Sequence, residues 1–145
     1  MLKIKKLREQ AKIPYRATPG SAGLDLSACL DAPVTIAPGD LVKVPTGIAI
    51  GLPGPDTVGL IFARSGLAVK HGVSLSNAVG VIDSDYTGEV VVGLCNLGSL
   101  TYTIRPGDRI AQLVVMPVLT PELQLTDELE PTARGDGGFG STGKQ

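Results

Sequence analysis

The chain has 145 residues, enough for a single domain, and its 13 basic and 14 acidic side chains leave a formal net charge of −1. This balance provides no basic surface for a nucleic-acid backbone or an anionic membrane, so we expect no nucleic-acid partner and no membrane partner. The first residues lack the apolar stretch of a secretion signal, and no apolar run reaches membrane-spanning length, so we expect a cytoplasmic protein.

Aromatic residues are scarce, with no Trp, three Tyr and two Phe, so the core must come from Val, Ile, Leu and Ala. A small chain with few large rings buries little by itself, and a core shared between subunits would help, which favours a trimer or a dimer. Cys29 and Cys95 lie in apolar surroundings and form no CxxC pair, which argues against a zinc site. Buried free thiols are the preferred interpretation, with a disulfide left open.

Gly and Pro residues separate short β-branched runs, which predicts many strands joined by turns. The predicted strands are, in chain order, residues 34–36, 41–50, 58–62, 89–94, 100–104 and 110–118. Pro45 predicts an edge or a break in the second strand, and the turn NLGS predicts that the fourth and fifth strands form a hairpin. Helical signal is confined to residues 65–70, with Ser65 as the candidate N-cap. The sequence therefore predicts an all-β domain with one short helix.

Residues 75–89 concentrate polar side chains around turn residues, namely Asn77, Asp83, Asp85 and Tyr86. A carboxylate on such a loop can orient a water for attack on phosphorus. The alternative is ordinary turn chemistry, since Asp and Asn favour turns. Asp85 fits that alternative better than Asp83 does, because Asp83 follows the buried-looking pair Val81 and Ile82.

Two further segments carry charge in notable places. Arg64 stands beside the predicted helix start, an arrangement that suits a phosphate; the alternative is an ordinary cap with a surface ion pair. Asp25 lies between two leucines of a strand-like segment, where a lone acid is uncommon. The single histidine, His71, excludes a multi-histidine metal site, and Ser65 lacks the GxSxG turn of serine hydrolases.

The last fifteen residues, PTARGDGGFGSTGKQ, are rich in glycine and poor in apolar mass. We therefore divide the chain into a β domain, residues 1–130, and a glycine-rich arm, residues 131–145. Glycines let backbone N–H groups converge on an anion, and Arg134, Ser141 and Thr142 add donors. Phe139 has no strand to pack into and suits stacking on a base. The alternative is a disordered, solubilising tail.

Five motifs follow one another along the chain: AGLDL at 22–26, RSGLA at 64–68, GVIDSDYTGE at 80–89, GDRIAQ at 107–112 and RGDGGFGSTG at 134–143. In this order and spacing the sequence closely resembles the trimeric dUTPase family over essentially its whole length. The resemblance implies a jelly-roll-like β fold assembled as a homotrimer, with three active sites at subunit boundaries. It also implies that the arm closes over the substrate of a neighbouring subunit.

The resemblance also assigns roles to single residues. It implies that Asp83 positions the attacking water, that Tyr86 packs against the deoxyribose and excludes a 2′-hydroxyl, and that Asn77 pairs with uracil. Backbone groups of a hairpin around Val81, Ile82 and Val91 would read the remaining base edge. The phosphates would be held by Arg64, Ser65, Gly66 and Gln112, together with Arg134, Ser141 and Thr142 of the arm, while Phe139 lies over the uracil.

The implied reaction is hydrolysis of dUTP to dUMP and pyrophosphate by attack of water on the α-phosphorus. Mg²⁺ bridging the phosphates is the implied cofactor, with Asp25 supporting its shell through water, so the protein needs no dedicated metal cage. Two alternatives stand beside this reading. A dCTP deaminase of the same fold would need other acid–base groups around the base. A catalytically idle nucleotide-binding trimer would have no need of Asp83, Tyr86 and the arm.

Overall fold

The computed structural model describes residues 1–138 of the chain, and these form ten strands and one short helix. The elements in chain order are β1 (Lys3–Lys6), β2 (Leu24–Ser27), β3 (Val34–Ile36), β4 (Leu41–Gly51), β5 (Thr57–Ala63), α1 (Ser65–His71), β6 (Val73–Leu75), β7 (Gly80–Ile82), β8 (Glu89–Asn96), β9 (Tyr102–Ile104) and β10 (Arg109–Pro117). The prediction of an all-β domain with one short helix is confirmed. No helix among these residues is long and apolar enough to cross a membrane.

Two four-stranded sheets enclose the core. Their strand orders are β1-β4-β8-β6 and β2-β10-β5-β7, and a third sheet pairs β3 with β9. Buried side chains from both large sheets belong to one cluster, in which Leu26, Ile48, Leu94 and Ile110 are fully buried. Aliphatic side chains supply this core, as the composition predicts.

Most of the predicted strands are present. Those at 34–36, 58–62 and 110–118 match β3, β5 and β10 to within one residue at each end. The sequence analysis does not predict β1, β6 and β7, which are three or four residues long. Cys29 and Cys95 are both buried and unpaired in the described part of the chain, which confirms their interpretation as free thiols.

Pro45 lies inside a continuous strand, β4, that is central in its sheet. At Pro45 only β8 is paired, because β1 pairs with residues 48–51 alone, so the proline does face a locally unpaired edge as predicted. The missing N–H is tolerated because the carbonyl of Pro45 faces away from β8 and accepts a hydrogen bond from Cys29 N at 2.8 Å. The ladder with β8 shifts register between Pro45 and Ala49, so the proline does mark an irregularity.

The hairpin predicted for the fourth and fifth strands does not form. Strand β8 pairs with β4 and β6, whereas β9 pairs with β3. Asn96, which is fully buried, explains the difference. Its Nδ2 donates to the carbonyls of Ile36 and Leu100, both at 2.8 Å, and its Oδ1 accepts from Gly98 N at 2.9 Å. This side chain ties the NLGS turn to the end of β3 and so directs the chain towards that strand.

The cap of the short helix lies one residue before the predicted position. Arg64 is the N-cap, with an extended backbone and no side-chain cap bond, so the assignment of Ser65 is wrong. The Arg64 side chain turns instead towards Asp25. The helix ends at Gly72, whose φ of 70° suits glycine and whose N–H donates to the carbonyl of Ala68 at 3.0 Å.

Candidate active site

A cavity of about 270 Å³ opens between β7 and β8, and we call it the tyrosine cavity. Its lining consists of Ile61, Asn77, Gly80, Val81, Ile82, Asp83, Tyr86, Glu89, Val90 and Val91. The sequence assigns six of these to the base, the sugar and the attacking water, namely Asn77, Val81, Ile82, Asp83, Tyr86 and Val91. The fold therefore brings that whole group together around one space.

Strand β7 forms one wall of the tyrosine cavity. It pairs with β5, and position 80 leaves little room beyond glycine, because a Cβ there would lie 3.2 Å from the Cβ of Ile61. Alternation along the strand buries Ile82 and exposes Val81. The expected burial of this pair is thus right for Ile82 and wrong for Val81, which is 63% exposed.

Strand β8 forms the opposite wall but belongs to the other large sheet. The two strands are therefore not the hairpin that the resemblance implies. The chain crosses between the sheets through a turn at residues 83–86, in which Tyr86 N donates to the carbonyl of Asp83 at 3.1 Å. A gap between two sheets, unlike a closed ladder, leaves space for a ligand.

Asp83 presents its carboxylate to solvent at this turn. The residue is exposed, and its side chain makes no hydrogen bond or ion pair with any other residue in 1–138. A free carboxylate on a hydrogen-bonded turn can hold a water and accept its proton. The position suits a general base.

Tyr86 is oriented through its hydroxyl, which donates to the carbonyl of Glu89 at 2.9 Å. The Glu89 carboxylate in turn accepts from Gly47 N at 2.8 Å, which anchors the start of β8 to β4. The ring is 46% exposed and lines the cavity. Because the Tyr86 hydroxyl already donates to a backbone carbonyl, the residue offers a ligand the surface of its ring rather than its polar end.

Asn77 stands on the loop between β6 and β7, and its backbone carbonyl accepts from Val79 N at 2.7 Å. The next residue, Ala78, has a φ of 61°, the one positive value at a non-glycine position in residues 1–138. That conformation costs an L-residue roughly 1–2 kcal/mol, and such strain gathers at functional sites. The Asn77 amide is exposed, so its donor and acceptor are available to a ligand.

A second cavity, of about 350 Å³, lies where β2, β10 and the start of α1 meet, and we call it the arginine cavity. Its lining consists of Ala17, Ser21, Ala22, Gly23, Asp25, Arg64, Ser65, Gly66, Arg109 and Gln112. The sequence assigns four of these to phosphates, namely Arg64, Ser65, Gly66 and Gln112. Asp25, the predicted indirect metal contact, lies with them.

Asp25 accepts hydrogen bonds from two arginines at once. Arg64 Nε donates to Oδ1 at 3.0 Å and Arg109 Nη1 donates to Oδ2 at 2.9 Å, while the Asp25 side chain is only 11% exposed. Arg64 Nη1 also donates to the carbonyl of Arg109 at 3.2 Å. The hydrogen bond to Asp25, reinforced by its charge, raises the pKa of Arg109 above the usual arginine value. One carboxylate against two guanidinium groups leaves a net positive site that suits a phosphate.

Arg109 is the site residue that the sequence analysis misses. It lies in the motif GDRIAQ, of which only Gln112 is assigned a role. Its position inside that motif could have marked Arg109 as a site residue, but its contact with Asp25 depends on the pairing of β10 with β2. The register of β10 on β2 sets Gln112 opposite Asp25 and Arg109 opposite Ser27, which brings this second arginine within reach of the acid.

Gln112 and the first turn of α1 complete the arginine cavity. Gln112 Nε2 donates to the carbonyl of Ala63 at 3.0 Å, and Gly23 makes room for the same amide, since a Cβ there would lie 2.6 Å from its Oε1. Ser65 and Gly66 are exposed, and a Cβ on Gly66 would meet nothing within 4 Å. Open space at position 66 lets a ligand approach the backbone closely.

Residues 1–138 contain no group of three His, Cys, Asp or Glu side chains that could hold a metal ion. Asp25 is the only acid that lines the arginine cavity, and both its oxygens accept from arginine. Its remaining lone pairs can still accept from a water in the shell of an ion. The donor set fits the predicted indirect contact to Mg²⁺ and does not fit direct ligation.

The two cavities share no lining residue and lie towards opposite ends of β5. Ile82 of β7 pairs with Gly59, near the start of β5, and Asp83 follows Ile82. Arg64 directly follows the other end of β5. The five steps from Gly59 to Arg64 span about 17 Å at a strand rise of about 3.3 Å. Asp83 and Arg64 therefore lie towards opposite ends of β5, with a separation on the order of 17 Å along the strand.

The start of the arm stands apart from both cavities. Arg134 is exposed, its Nε donates to the carbonyl of Gly137 at 2.8 Å, and it lines neither cavity of its own chain. Phe139, Ser141 and Thr142, which are predicted to contact the base and the phosphates, lie outside the described residues. Their roles stay predictions.

Comparison with known proteins gives concordant results. A model of the dUTPase family matches residues 9–143. The deoxyuridine 5′-triphosphate nucleotidohydrolase of Aeromonas salmonicida is 55% identical over 133 residues, which cover 92% of this chain and 88% of that protein. The dUTPase of Staphylococcus bacteriophage 80alpha with dUPNHPP has a TM-score of 0.90 at 29% identity, with 99% of each chain covered. A mutant dUTPase from phage phi11 of S. aureus, described with a structural Mg(II) ion, has a TM-score of 0.79 at 28% identity, covering 88% of this chain and 97% of that one.

Proposed function

The chain belongs to the dUTPase family, and from this premise we propose that Asp83 holds the water that attacks the α-phosphorus of dUTP. The enzyme hydrolyses dUTP to dUMP and pyrophosphate, which lowers dUTP and supplies dUMP for dTMP synthesis. One observation carries the proposed mechanism: the Asp83 carboxylate is exposed and free at the cavity that Asn77 and Tyr86 also line.

In this mechanism the base and the sugar occupy the tyrosine cavity. Asn77 and the backbone around Val81, Ile82 and Val91 hydrogen-bond uracil, so cytosine would meet mismatched donors and acceptors. Tyr86 packs against the deoxyribose and leaves no room for a 2′-hydroxyl. The water oxygen forms the new bond to the α-phosphorus, the bond to the bridging oxygen breaks as pyrophosphate leaves, and Asp83 accepts the proton.

The triphosphate lies in the arginine cavity, against Arg64, Ser65, Gly66 and Gln112. A Mg²⁺ cofactor bound with the triphosphate would neutralise phosphate charge. Asp25 would contact the water shell of that ion and holds Arg64 in place. Most of the rate then comes from positioning and from charge stabilisation by the protein.

The arm completes the proposed site from a neighbouring subunit. Arg134, Ser141 and Thr142 hold the triphosphate, and Phe139 lies over the uracil. The exposure of Arg134 and its absence from both cavity linings of its own chain support this role. Residues 131–145 therefore act as a lid rather than as a part of the β domain.

We further propose a homotrimer in which each active site combines cavities from different copies. A single dUTP must place its α-phosphorus beside the water on Asp83 and its phosphates against Arg64. Those residues are separated by about 17 Å along β5 of one chain, whereas neighbouring phosphates share a single bridging oxygen. The tyrosine cavity of one copy must therefore face the arginine cavity of another.

Exposed leucines support this association. Leu119, Leu123, Leu125 and Leu129 follow β10 and are between 87% and 98% exposed. The first three occupy odd-numbered positions before the bend at residue 127, and such positions share one face where a segment is extended. A neighbouring copy that covers this apolar row would remove it from water and receive the arm that follows it.

Mixed trimers test the shared site. Asp83→Asn and Arg64→Gln should each have little activity as homotrimers. When the two are unfolded, mixed in equal amounts and refolded, about one site in four combines an intact Asp83 with an intact Arg64 from different copies. Activity should rise to about a quarter of that of wild-type protein refolded in the same way. A mixture as inactive as its components would place both residues in one chain and contradict the shared site.

Release of pyrophosphate from dUTP tests the activity directly, with UTP and dCTP as competing substrates. An ammonia assay with dCTP tests the deaminase alternative, which the named relatives do not favour. Nucleotide binding without pyrophosphate release would indicate the idle trimer instead.

We also propose a cytoplasmic location. The two cysteines are buried and reduced, which suits a compartment that keeps thiols free. Fractionation of cells that express the natural gene, with an enzyme assay of each fraction, tests this proposal.

A further inference from the structure

We propose that Gly88 is a specificity-determining residue that sets how far the Tyr86 ring enters the tyrosine cavity. This inference rests on the proposed function, in which that ring packs against the deoxyribose. Gly88 follows the turn at residues 83–86 and directly precedes β8. Unlike Tyr86, it is not among the described residues that line the cavity.

The backbone does not require glycine at position 88. The glycines with positive φ among residues 1–138 are Gly39, Gly47, Gly72, Gly107 and Gly135. Gly88 is outside this set, so alanine would adopt its conformation without the penalty of a left-handed residue. The constraint on this position must therefore be one of space.

That space is taken by Tyr86. A Cβ at position 88 would lie 2.5 Å from the Tyr86 Oη, 2.7 Å from Cζ and 3.0 Å from Cε2. All three atoms belong to the outer end of the tyrosine side chain and none to the backbone. The phenol ring thus rests directly against the α-carbon of Gly88 while its hydroxyl donates to the Glu89 carbonyl at 2.9 Å.

An added methyl group would displace the ring in a defined direction. Tyr86 lines the cavity, whereas Gly88 is not among its described lining residues and would press on the outer end of the ring through an added Cβ. The ring is 46% exposed and therefore freer to move than the backbone that follows it. A side chain at position 88 would push the ring into the space proposed for the deoxyribose and stretch its hydrogen bond to Glu89.

Gly88→Ala tests this inference. We expect the KM for dUTP to rise and kcat/KM to fall roughly 10- to 100-fold, since a displacement of about 1 Å in a binding site can cost 10²-fold. The matched control is Gly51→Ala, at the end of β4, which also lacks a positive φ and where a Cβ would lie an ordinary 3.5 Å from the Cβ of Lys3. That control should have wild-type kinetics. An unchanged KM in Gly88→Ala would overturn the inference.

A double variant separates the effect on the ring from any effect on the backbone. Tyr86→Ala removes the ring and should reduce the preference for dUTP over UTP. In that background Gly88→Ala should change neither kcat/KM nor affinity for a non-hydrolysable dUTP analogue, because no ring is left to displace. An equal penalty with and without the ring would show that Gly88 acts through the backbone and would overturn the inference. Failure of the proposed function is a different result, since wild-type protein would then release no pyrophosphate from dUTP.

Discussion

Arg109 Nη1 donates to the Asp25 carboxylate at 2.9 Å, and the two residues lie on neighbouring strands, β10 and β2. The other Asp25 oxygen holds Arg64, which caps α1. One acid therefore links two strands and a helix at the point where the phosphates are proposed to bind. The arginines are both held in position and left with surplus positive charge.

Asp25→Asn should weaken both stability and catalysis, because the two arginines lose their shared counter-charge. Their side chains are 25% and 42% exposed, so water compensates in part. We expect a loss of about 1–2 kcal/mol in the free energy of unfolding by urea and a fall in kcat/KM of roughly 10- to 100-fold. Asp31→Asn is the control, since Asp31 is exposed and bonds only Gln10, at 3.2 Å, within residues 1–138. Equal stability of the two variants would contradict the structural role of Asp25.

Asp83→Asn should fold normally and lose roughly 10²–10⁴-fold in turnover, the range for removal of a general base. Folding is spared because the carboxylate is exposed. Asp85→Asn is the matched control, since Asp85 is also exposed, lies two residues away and does not line the tyrosine cavity. Pyrophosphate release under saturating dUTP measures both. Near-normal turnover in Asp83→Asn would remove this residue from its proposed role.

Truncation before Arg134 should leave a folded trimer with turnover reduced by about 10²-fold or more, since lost positioning and charge contacts act on the transition state. The described part of the removed segment, residues 134–138, contributes nothing to the buried core, whose described members end at Leu113. Sedimentation and thermal unfolding check the assembly, and pyrophosphate release checks the activity. A truncated protein that unfolds, or one that works at the normal rate, would contradict the lid.

Tyr102 gives a prediction about pH. Its ring lies 4.8 Å from that of His71, and burial, followed by the charge of Asp108, raises the pKa of its hydroxyl above the usual 10.0. The folded state holds this proton more tightly than the unfolded state, so the contribution to stability is complete below the unfolded pKa and is lost as pH rises through the folded pKa. Tyr102→Phe should therefore lose less stability than wild-type protein above pH 10. Urea unfolding across that range measures the difference, and parallel curves for the two proteins would speak against it.

Local patterns account for much of what the sequence predicts correctly. The runs that become β3, β5 and β10 are rich in β-branched residues and bounded by turn residues, and both properties are read within a few positions. The residues proposed to bind the base and the phosphates are identified by motifs, which are also local. Those of the β domain fall together in space, one group in each cavity, whereas the predicted residues of the arm do not join them among the described residues.

The errors have a common physical origin in contacts between distant segments. The predicted hairpin at the NLGS turn fails because the buried Asn96 bonds the carbonyl of Ile36, sixty residues away. The sequence predicts a buried Val81, but the pairing of β7 with β5 leaves the Val81 side chain exposed. Arg109 gains a role only because β10 pairs with β2.

The sequence by itself determined the all-β class, most of the strands and the chemical groups around each cavity, because β-propensity, turn preference and motif spacing are properties of neighbouring residues. The tertiary structure alone decided which strands pair, which second arginine meets Asp25, and that the tyrosine cavity and the arginine cavity lie towards opposite ends of β5. Strand pairing sets these relations through hydrogen bonds between residues far apart in the sequence, and no local pattern specifies which strands will meet.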